Sequence, residues 1–369
     1  MARAEMISDG GLRKEPTCRI PAGIGEDLRV PMNCLSDNKL ALDIALTSNC
    51  PLQCQYCSVE RRPQQELSGR QWESAVSSFA RLRRIGLISL EGGEPFLRPD
   101  LPKILAACLD AAQEVKIVTS GVVPLNGFPK ALLRHPGFYL ELSLDGPREI
   151  HDFLRDGSWE RAWGFLQTGL ERRIRMRLRS VISRHNILVF EDWLTALDGD
   201  LEPYGQKVGF SFDTIIAPEA LAGEGGELPR LGVRAYPTRG LLPLASEMWR
   251  LYRNLKTRSF RNLVFLQTEP LRGCGAAREG FLSFDPAGIF SLCCEAPGGI
   301  GSLDRVSPDE CLCLLDAEIG NRPCRDCPYF EAAQCNGCWT GQKCGMVGYW
   351  GVENCQALFD SMVHGKQKI

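Results

Sequence analysis

The sequence predicts an α/β fold: a partial (β/α)6 barrel of parallel strands plus a small Cys-rich C-terminal domain with a β-hairpin. Three observations carry this. Six strand-like segments alternate with helical ones between residues 40 and 213, which implies parallel pairing through crossover helices. Eleven of the 17 cysteines fall between Cys274 and Cys355, in a stretch with little long apolar periodicity. Between these two regions, residues 214–240 are rich in Gly, Pro and Glu without a sustained period, the character of a linker or flap. The chain thus divides into an N-terminal extension (1–38), a barrel (39–215), a linker with a bridging helix (216–265) and a Cys-rich unit (266–369).

The first strand is "LALDIALT", in which Leu40, Leu42, Ile44 and Leu46 share a face. A helix follows in "SGRQWESAVSSFARLRRIG": Trp72, Val76, Phe79 and Leu82 stand near helical spacing, Ser68 serves as N-cap and Gly86 as the C-terminal stop. "LISLEGGEP" reads as strand and turn. The alternation continues through "PDLPKILAACLDAA", "EVKIVTSG", "FPKALLRH", "FYLELSLDG", "WERAWGFLQTGLE", "RIRMRLRSVIS", "FEDWLTALDG" and "KVGFSFD". Beyond the linker, "LLPLASEMWRLYRNLK" is helix-like, and "DPAG" is a hairpin turn between two strand-like runs. In parallel α/β folds functional groups gather at the carboxyl ends of the strands. Here those ends carry "TSNCPLQC", "EGGEP", "TSG" and "SLDGP".

Composition narrows the function. A net charge of −2 offers no polyanion-binding signature, and four histidines are few for a protein built on imidazole ligands. The N-terminus has no apolar signal stretch, and no apolar run approaches the ~20 residues of a membrane helix; a cytoplasmic location is expected. There, 17 cysteines are hard to explain as a disulfide scaffold, which leaves metal or cluster ligation as the leading explanation.

Cys50, Cys54 and Cys57 form a CxxxCxxC loop directly after the first strand. Three thiolates on a tight loop reach three corners of an iron–sulfur cubane and leave one iron open to a small molecule. The alternatives are a zinc site, for which a fourth nearby ligand is missing, or cysteines buried as small hydrophobes.

"CPLQCQYC", "GGEP" some 35 residues later and "SLDG" on a later strand resemble the radical S-adenosylmethionine (radical SAM) superfamily over roughly residues 40–213. The resemblance implies a 4Fe-4S cluster on Cys50, Cys54 and Cys57 whose open iron binds S-adenosylmethionine and cleaves it to a 5′-deoxyadenosyl radical. Tyr56 matches the family's aromatic near adenine, its alternative role being to anchor the loop. Gly92 and Gly93 let backbone approach a ligand, Glu94, before Pro95, accepts a hydrogen bond from the ligand ammonium, and Ser143 and Asp145 resemble the ribose-contacting strand end, with helix capping as their alternative. Arg173, Arg175, Arg177 and Arg179 fall at strand period; a solvated face is the default, and Arg179 is the candidate for the ligand carboxylate. A one-electron donor such as flavodoxin or ferredoxin is implied.

The second cysteine territory resembles the SPASM extension of radical SAM peptide-modifying enzymes. That resemblance assigns Cys324, Cys327, Cys335 and Cys355 to an outer auxiliary 4Fe-4S cluster, and Cys274, Cys293 and Cys338 to an inner one. The middle block here is C-x2-C-x7-C-x2-C and Cys344 is extra, so Cys338 and Cys344 compete, and Cys294, Cys311 and Cys313 compete for a fourth inner position. Zinc ribbons are the alternative. Related sulfatase-maturating enzymes place a basic aspartate where this chain has Cys294, which disfavours formylglycine formation; Cys294, Glu295 and Asp213 are the candidate catalytic residues. Family resemblance makes a ribosomally made peptide the expected substrate, with oxidation, crosslinking or thioether formation as the outcome. About 38 residues precede the first strand, fewer than a leader-recognition domain, so either a separate leader-binding protein or a small sugar-like or aminocyclitol substrate follows. An iron–sulfur electron carrier or zinc-binding adaptor is the non-enzymatic alternative.

Overall fold

The computed structural model describes residues 39–57, 59, 65–214, 245–266, 280–292, 294 and 299–320. Outside the described residues lie the N-terminal extension, most of the flap, Glu295, and Cys274, Cys293, Cys324, Cys327, Cys335, Cys338, Cys344 and Cys355.

All six expected barrel strands form. They are β1 (Leu40–Thr47), β2 (Ile85–Gly92), β3 (Ala112–Thr119), β4 (Phe138–Ser143), β5 (Met176–Ile182) and β6 (Val208–Thr214), paired parallel in chain order. The helices between them are α1 (Gly69–Leu82), α2 (Leu101–Ala111), α3 (Lys130–Leu133), α4 (Arg148–Leu154), α5 (Trp159–Glu171) and α6 (Phe190–Asp200). Strand polarity explains the layering. Leu40, Leu42, Ile44 and Leu46 are almost fully buried and share a core with Trp72, Val76 and Phe79 of α1, as alternation in a strand and near-fourfold spacing in a helix require.

Two expectations at the end of α1 are corrected. Leu82 is 51% exposed, because it sits in the last turn and points away from the core. Gly86 does not stop the helix: the chain is already extended at Arg83, and Gly86 belongs to β2, with Ile85 paired to Leu40. Strand pairing overrides the local glycine signal.

The sheet continues past the expected six strands to ten among the described residues. Beyond α7 (Ala245–Thr257), β7 (Leu263–Phe265) runs parallel to β6; three residues carry too little periodicity to be read from sequence. On the other side, β8 (Phe281–Phe284) adds parallel to β1, and β9 (Ile289–Ser291) pairs antiparallel with β8, closing the expected hairpin across residues 285–288. β10 (Gly301–Ser302) completes the edge. Phe284 packs edge-on against Trp72 at 6.0 Å, and α8 (Pro308–Gly320) is tied to α1 by Arg83 and Asp316 at 2.6 Å. The described C-terminal elements are thus fastened to the first βα unit of the barrel. Among the described residues no helix is long and apolar enough to cross a membrane.

Candidate functional site

The cysteine loop leaves the end of β1, and the Gly-Gly-Glu-Pro turn leaves the end of β2 beside it. The two are stitched together by backbone: Gly93 N–H donates to Thr47 O at 2.7 Å and Glu94 N–H to Asn49 O at 2.8 Å. Both glycines are required for this approach. Gly92 has φ +118° and a Cβ there would meet Thr47 O at 2.5 Å; a Cβ on Gly93 would meet Asn49 O at 2.1 Å. The close approach expected toward a ligand is therefore spent, in the first instance, on the cysteine loop itself.

Glu94 is fully buried and caps the short 3-10 turn Pro95–Leu97. Its Oε1 accepts from Thr119 Oγ1 (2.8 Å) and Phe96 N–H (3.3 Å), and its Oε2 from Ser120 N–H (3.0 Å) and Ser120 Oγ (2.5 Å). Burial raises its pKa while these donors oppose the rise. A ligand ammonium reaching Glu94 would share a carboxylate that already bridges the ends of β2 and β3.

A second carboxylate, Glu66, was not anticipated. It accepts from Thr47 Oγ1 at 2.8 Å and Ser48 N–H at 2.9 Å, with Arg98 3.7 Å away, and so fixes the start of the cysteine loop from outside.

Cys54 is buried, whereas Cys50 and Cys57 are half-buried; burial pushes the Cys54 thiol up to about 11, with Arg155 opposing and Cys57 and Cys50 adding to it. Three thiols on one short loop suit a cubane, which takes each thiolate on a separate iron, whereas a structural zinc needs a fourth donor; the donor set fits the cluster.

Tyr56 hydroxyl donates to Asp145 Oδ2, the oxygen that also accepts from Arg155 Nε at 2.5 Å. Asp145 Oδ1 accepts from Val181 N–H at 2.8 Å. Asp145 caps no helix; it is a fully buried junction between the cysteine loop, the β4 end and β5. Ser143, the last residue of β4, is buried two positions earlier.

Arg179 lies on the opposite sheet face from the helices, where it pairs with Glu141 at 3.2 Å and with Asp213. Lys116 meets the same Glu141 oxygen at 2.8 Å. Although burial favours the neutral acid, Lys116 and Arg179 outweigh it and lower the Glu141 pKa. Asp43, on the same inner face of β1, is buried, and its pKa is raised well above the ordinary range by desolvation and by Glu91. Sequence reasoning passed over Asp43, Lys116 and Glu141. The available signal was a single ionisable residue inside an otherwise apolar strand, as Asp43 in "LALDIALT", Lys116 in "VKIV" and Glu141 in "LELS".

Of the cysteines offered for the auxiliary sites, Cys294 is exposed, and Cys311 is buried in the core through α8, where burial pushes its thiol up to about 12. Cys313, two residues on, is bonded to another cysteine.

Residues 44–185 match the family described as the Radical SAM superfamily. A PqqA peptide cyclase of Methylobacterium sp. (strain 4-46) is 30% identical over 150 residues, 38% of this chain and 39% of that protein. The Fe-coproporphyrin III synthase of Methanosarcina barkeri is 28% identical over 156 residues, 41% of this chain and 39% of that protein. The chain thus matches about two fifths of the length of these curated relatives. Among solved structures, anSMEcpe with bound AdoMet superposes with a TM-score of 0.56 at 13% identity, over 88% of this chain and 98% of that one. SuiB of Streptococcus suis, bound to its precursor peptide SuiA, gives 0.54 at 14%, over 71% and 62%. These last two establish likeness of fold.

Proposed function

We propose, from the match of residues 44–185 to the Radical SAM superfamily, that the chain is a peptide-modifying radical SAM enzyme. The observation that carries the proposal is the lock between the Cys50–Cys54–Cys57 loop and the Gly92–Pro95 turn at the carboxyl ends of β1 and β2. When bound, a 4Fe-4S cluster on the three thiolates supplies an electron to S-adenosylmethionine, whose cleavage gives methionine and a 5′-deoxyadenosyl radical that takes a hydrogen atom from substrate.

This chain's residues do the holding. Cys50, Cys54 and Cys57 ligate the cluster, and Gly92, Gly93, Glu94 and Pro95 wall the ligand site. Tyr56, Ser143 and Asp145 border the nucleoside side, and Arg179 is the cation offered to the ligand carboxylate. Cys274, Cys293, Cys324, Cys327, Cys335, Cys338, Cys344 and Cys355 are assigned to two auxiliary 4Fe-4S clusters of SPASM type, which would accept the second electron and make the outcome a net oxidation, crosslink or thioether. Flavodoxin or ferredoxin as donor, a separate leader-binding protein and a cytoplasmic setting complete the reading. Relatives named as peptide cyclases and similar folds solved with peptides support a peptide substrate.

One observation favours a second reading. Lys116, Glu141, Arg179 and Asp213 form a charged wall on the inner sheet face, which suits a small polar metabolite such as a sugar or aminocyclitol. Deuterium transfer into 5′-deoxyadenosine from labelled peptide or labelled metabolite separates the two.

The primary test is anaerobic reconstitution. Expected are about twelve irons per chain for three cubanes, a reduced-state spectrum that changes on adding S-adenosylmethionine, and release of 5′-deoxyadenosine. Zinc held by four protein donors, or a spectrum indifferent to S-adenosylmethionine, overturns the reading.

A further inference from the structure

The cysteine loop is gripped from a direction the sequence did not announce. The chain leaves β4, forms α4 and returns to the loop: Gln55 N–H donates to Leu154 O at 2.9 Å, and Gln53 N–H to Asp156 Oδ2 at 3.1 Å. Between these two pins stands Arg155. Its guanidinium donates to Asp145 at 2.5 Å and lies 5.3 Å from the centre of the Tyr56 ring. Arg155 is 8% exposed and Asp145 is fully buried.

A buried ion pair is a weak way to gain stability, since a well-packed apolar pair of the same shape is often as good. Its placement here has a different consequence. The cation is held against the cysteine loop: its chain neighbours Leu154 and Asp156 pin Gln55 and Gln53 on either side of Cys54, and its guanidinium lies over the ring of Tyr56, next to Cys57. A 4Fe-4S core with three thiolates is anionic, and taking up one electron from a low-potential donor adds a further negative charge. Charge and exposure around a cluster are among the determinants of its potential, and in a low-dielectric site a fixed neighbouring cation favours the reduced form.

Resting on the radical SAM reading, we propose that Arg155 is a positioning residue that raises the reduction potential of the Cys50–Cys54–Cys57 cluster, with Asp145 orienting it and partly offsetting its charge. Arg155 touches no substrate in this role; it sets how readily the cluster accepts its electron.

The test is an EPR-monitored redox titration of the anaerobically reconstituted full chain, following the signal that changes on adding S-adenosylmethionine. Arg155→Gln is expected to lower the midpoint, with the reduced-to-oxidised ratio at a given potential falling about tenfold, or about 59 mV for one electron. Arg155→Lys holds it near wild type, and Asp145→Asn raises it. The double variant Asp145→Asn/Arg155→Gln carries no unpaired buried charge and so guards against misfolding; its midpoint is expected below wild type. A purely structural strut would move Arg155→Gln and Asp145→Asn in the same direction or leave the midpoint fixed, and either result overturns the inference while leaving the radical SAM reading intact. A wild-type chain with no cluster responsive to S-adenosylmethionine overturns both.

Discussion

Gly93 lies so close to Asn49 that a Cβ on it would sit 2.1 Å from the Asn49 carbonyl oxygen. The contact is backbone against backbone, with no flexible side chain to yield. Gly93→Ala is therefore expected to push the cysteine loop off the β2 turn, at a cost of about 1–3 kcal/mol by the usual scale of overpacking. Iron content after reconstitution should fall along with Tm. Gly164→Ala is the control: it lies in α5 with nothing within 4 Å of its added methyl, and should be neutral or slightly stabilising.

Glu66 is expected to matter through the backbone it holds. Glu66→Ala removes the acceptor for Thr47 Oγ1 and Ser48 N–H, costing about 1–3 kcal/mol in unsatisfied groups. Glu66→Gln keeps an acceptor and should cost less. Hydrogen exchange at residues 47–49 reads this directly: faster exchange in Glu66→Ala with Glu66→Gln near wild type is the expected order, and equal exchange in all three would show that Glu66 holds nothing.

The parts of this fold that were legible in sequence are those where one face meets one environment. Leu40, Leu42, Ile44 and Leu46 alternate because one side of β1 is core, and β5 alternates in the same way, whereas β4 is buried at every position and was legible as a short apolar run. The cysteine loop and the Gly-Gly-Glu-Pro turn were legible because cluster ligation and close backbone approach tolerate few residue types. What escaped was partnership across the chain. Glu94 stands out as a carboxylate in "GGEP", but its capture by Thr119 and Ser120 depends on β3 lying beside β2. Asp145 looked like a strand-end polar group, and only the return of α4 reveals Arg155 as its partner. Gly86 misled because a glycine after a helix signals a stop unless a neighbouring strand claims it, as β1 does here.

The inner-face ion pairs give a stability prediction. Lys116 and Glu141 are 12% and 8% exposed at their side chains and 2.8 Å apart. Lys116→Met leaves Glu141 with Arg179 alone in a buried position, and breaking such a pair typically costs about 3–5 kcal/mol. Lys116→Met/Glu141→Gln removes the stranded charge and should recover a large part of that loss. Denaturant unfolding of the three proteins checks the order; a double variant no more stable than the single one would show that the charge was not the source of the cost.

His151 supplies the pH dependence. It is fully buried in the middle of α4; its Nδ1 accepts from Asp145 N–H at 3.2 Å and its Nε2 lies 3.0 Å from Ser158 Oγ, so the neutral ring fits as acceptor and donor. Desolvation, only partly opposed by Asp145, lowers its pKa from 6.5 to about 4. Between those values the unfolded chain binds a proton that the folded chain refuses, so stability must fall as pH drops from 6.5 toward 4, and the loss is complete below the folded value. The scale is on the order of 3 kcal/mol, from the energy equivalent of each pKa unit. His151→Asn offers an acceptor to Asp145 N–H but does not titrate. It should remove this portion of the slope while leaving the contribution of Glu141, whose lowered pKa acts in the same direction at more acid pH. Unfolding free energies at intervals across the window check it: a His151→Asn protein whose stability declines as steeply as wild type would mean that the acid sensitivity of this region resides elsewhere.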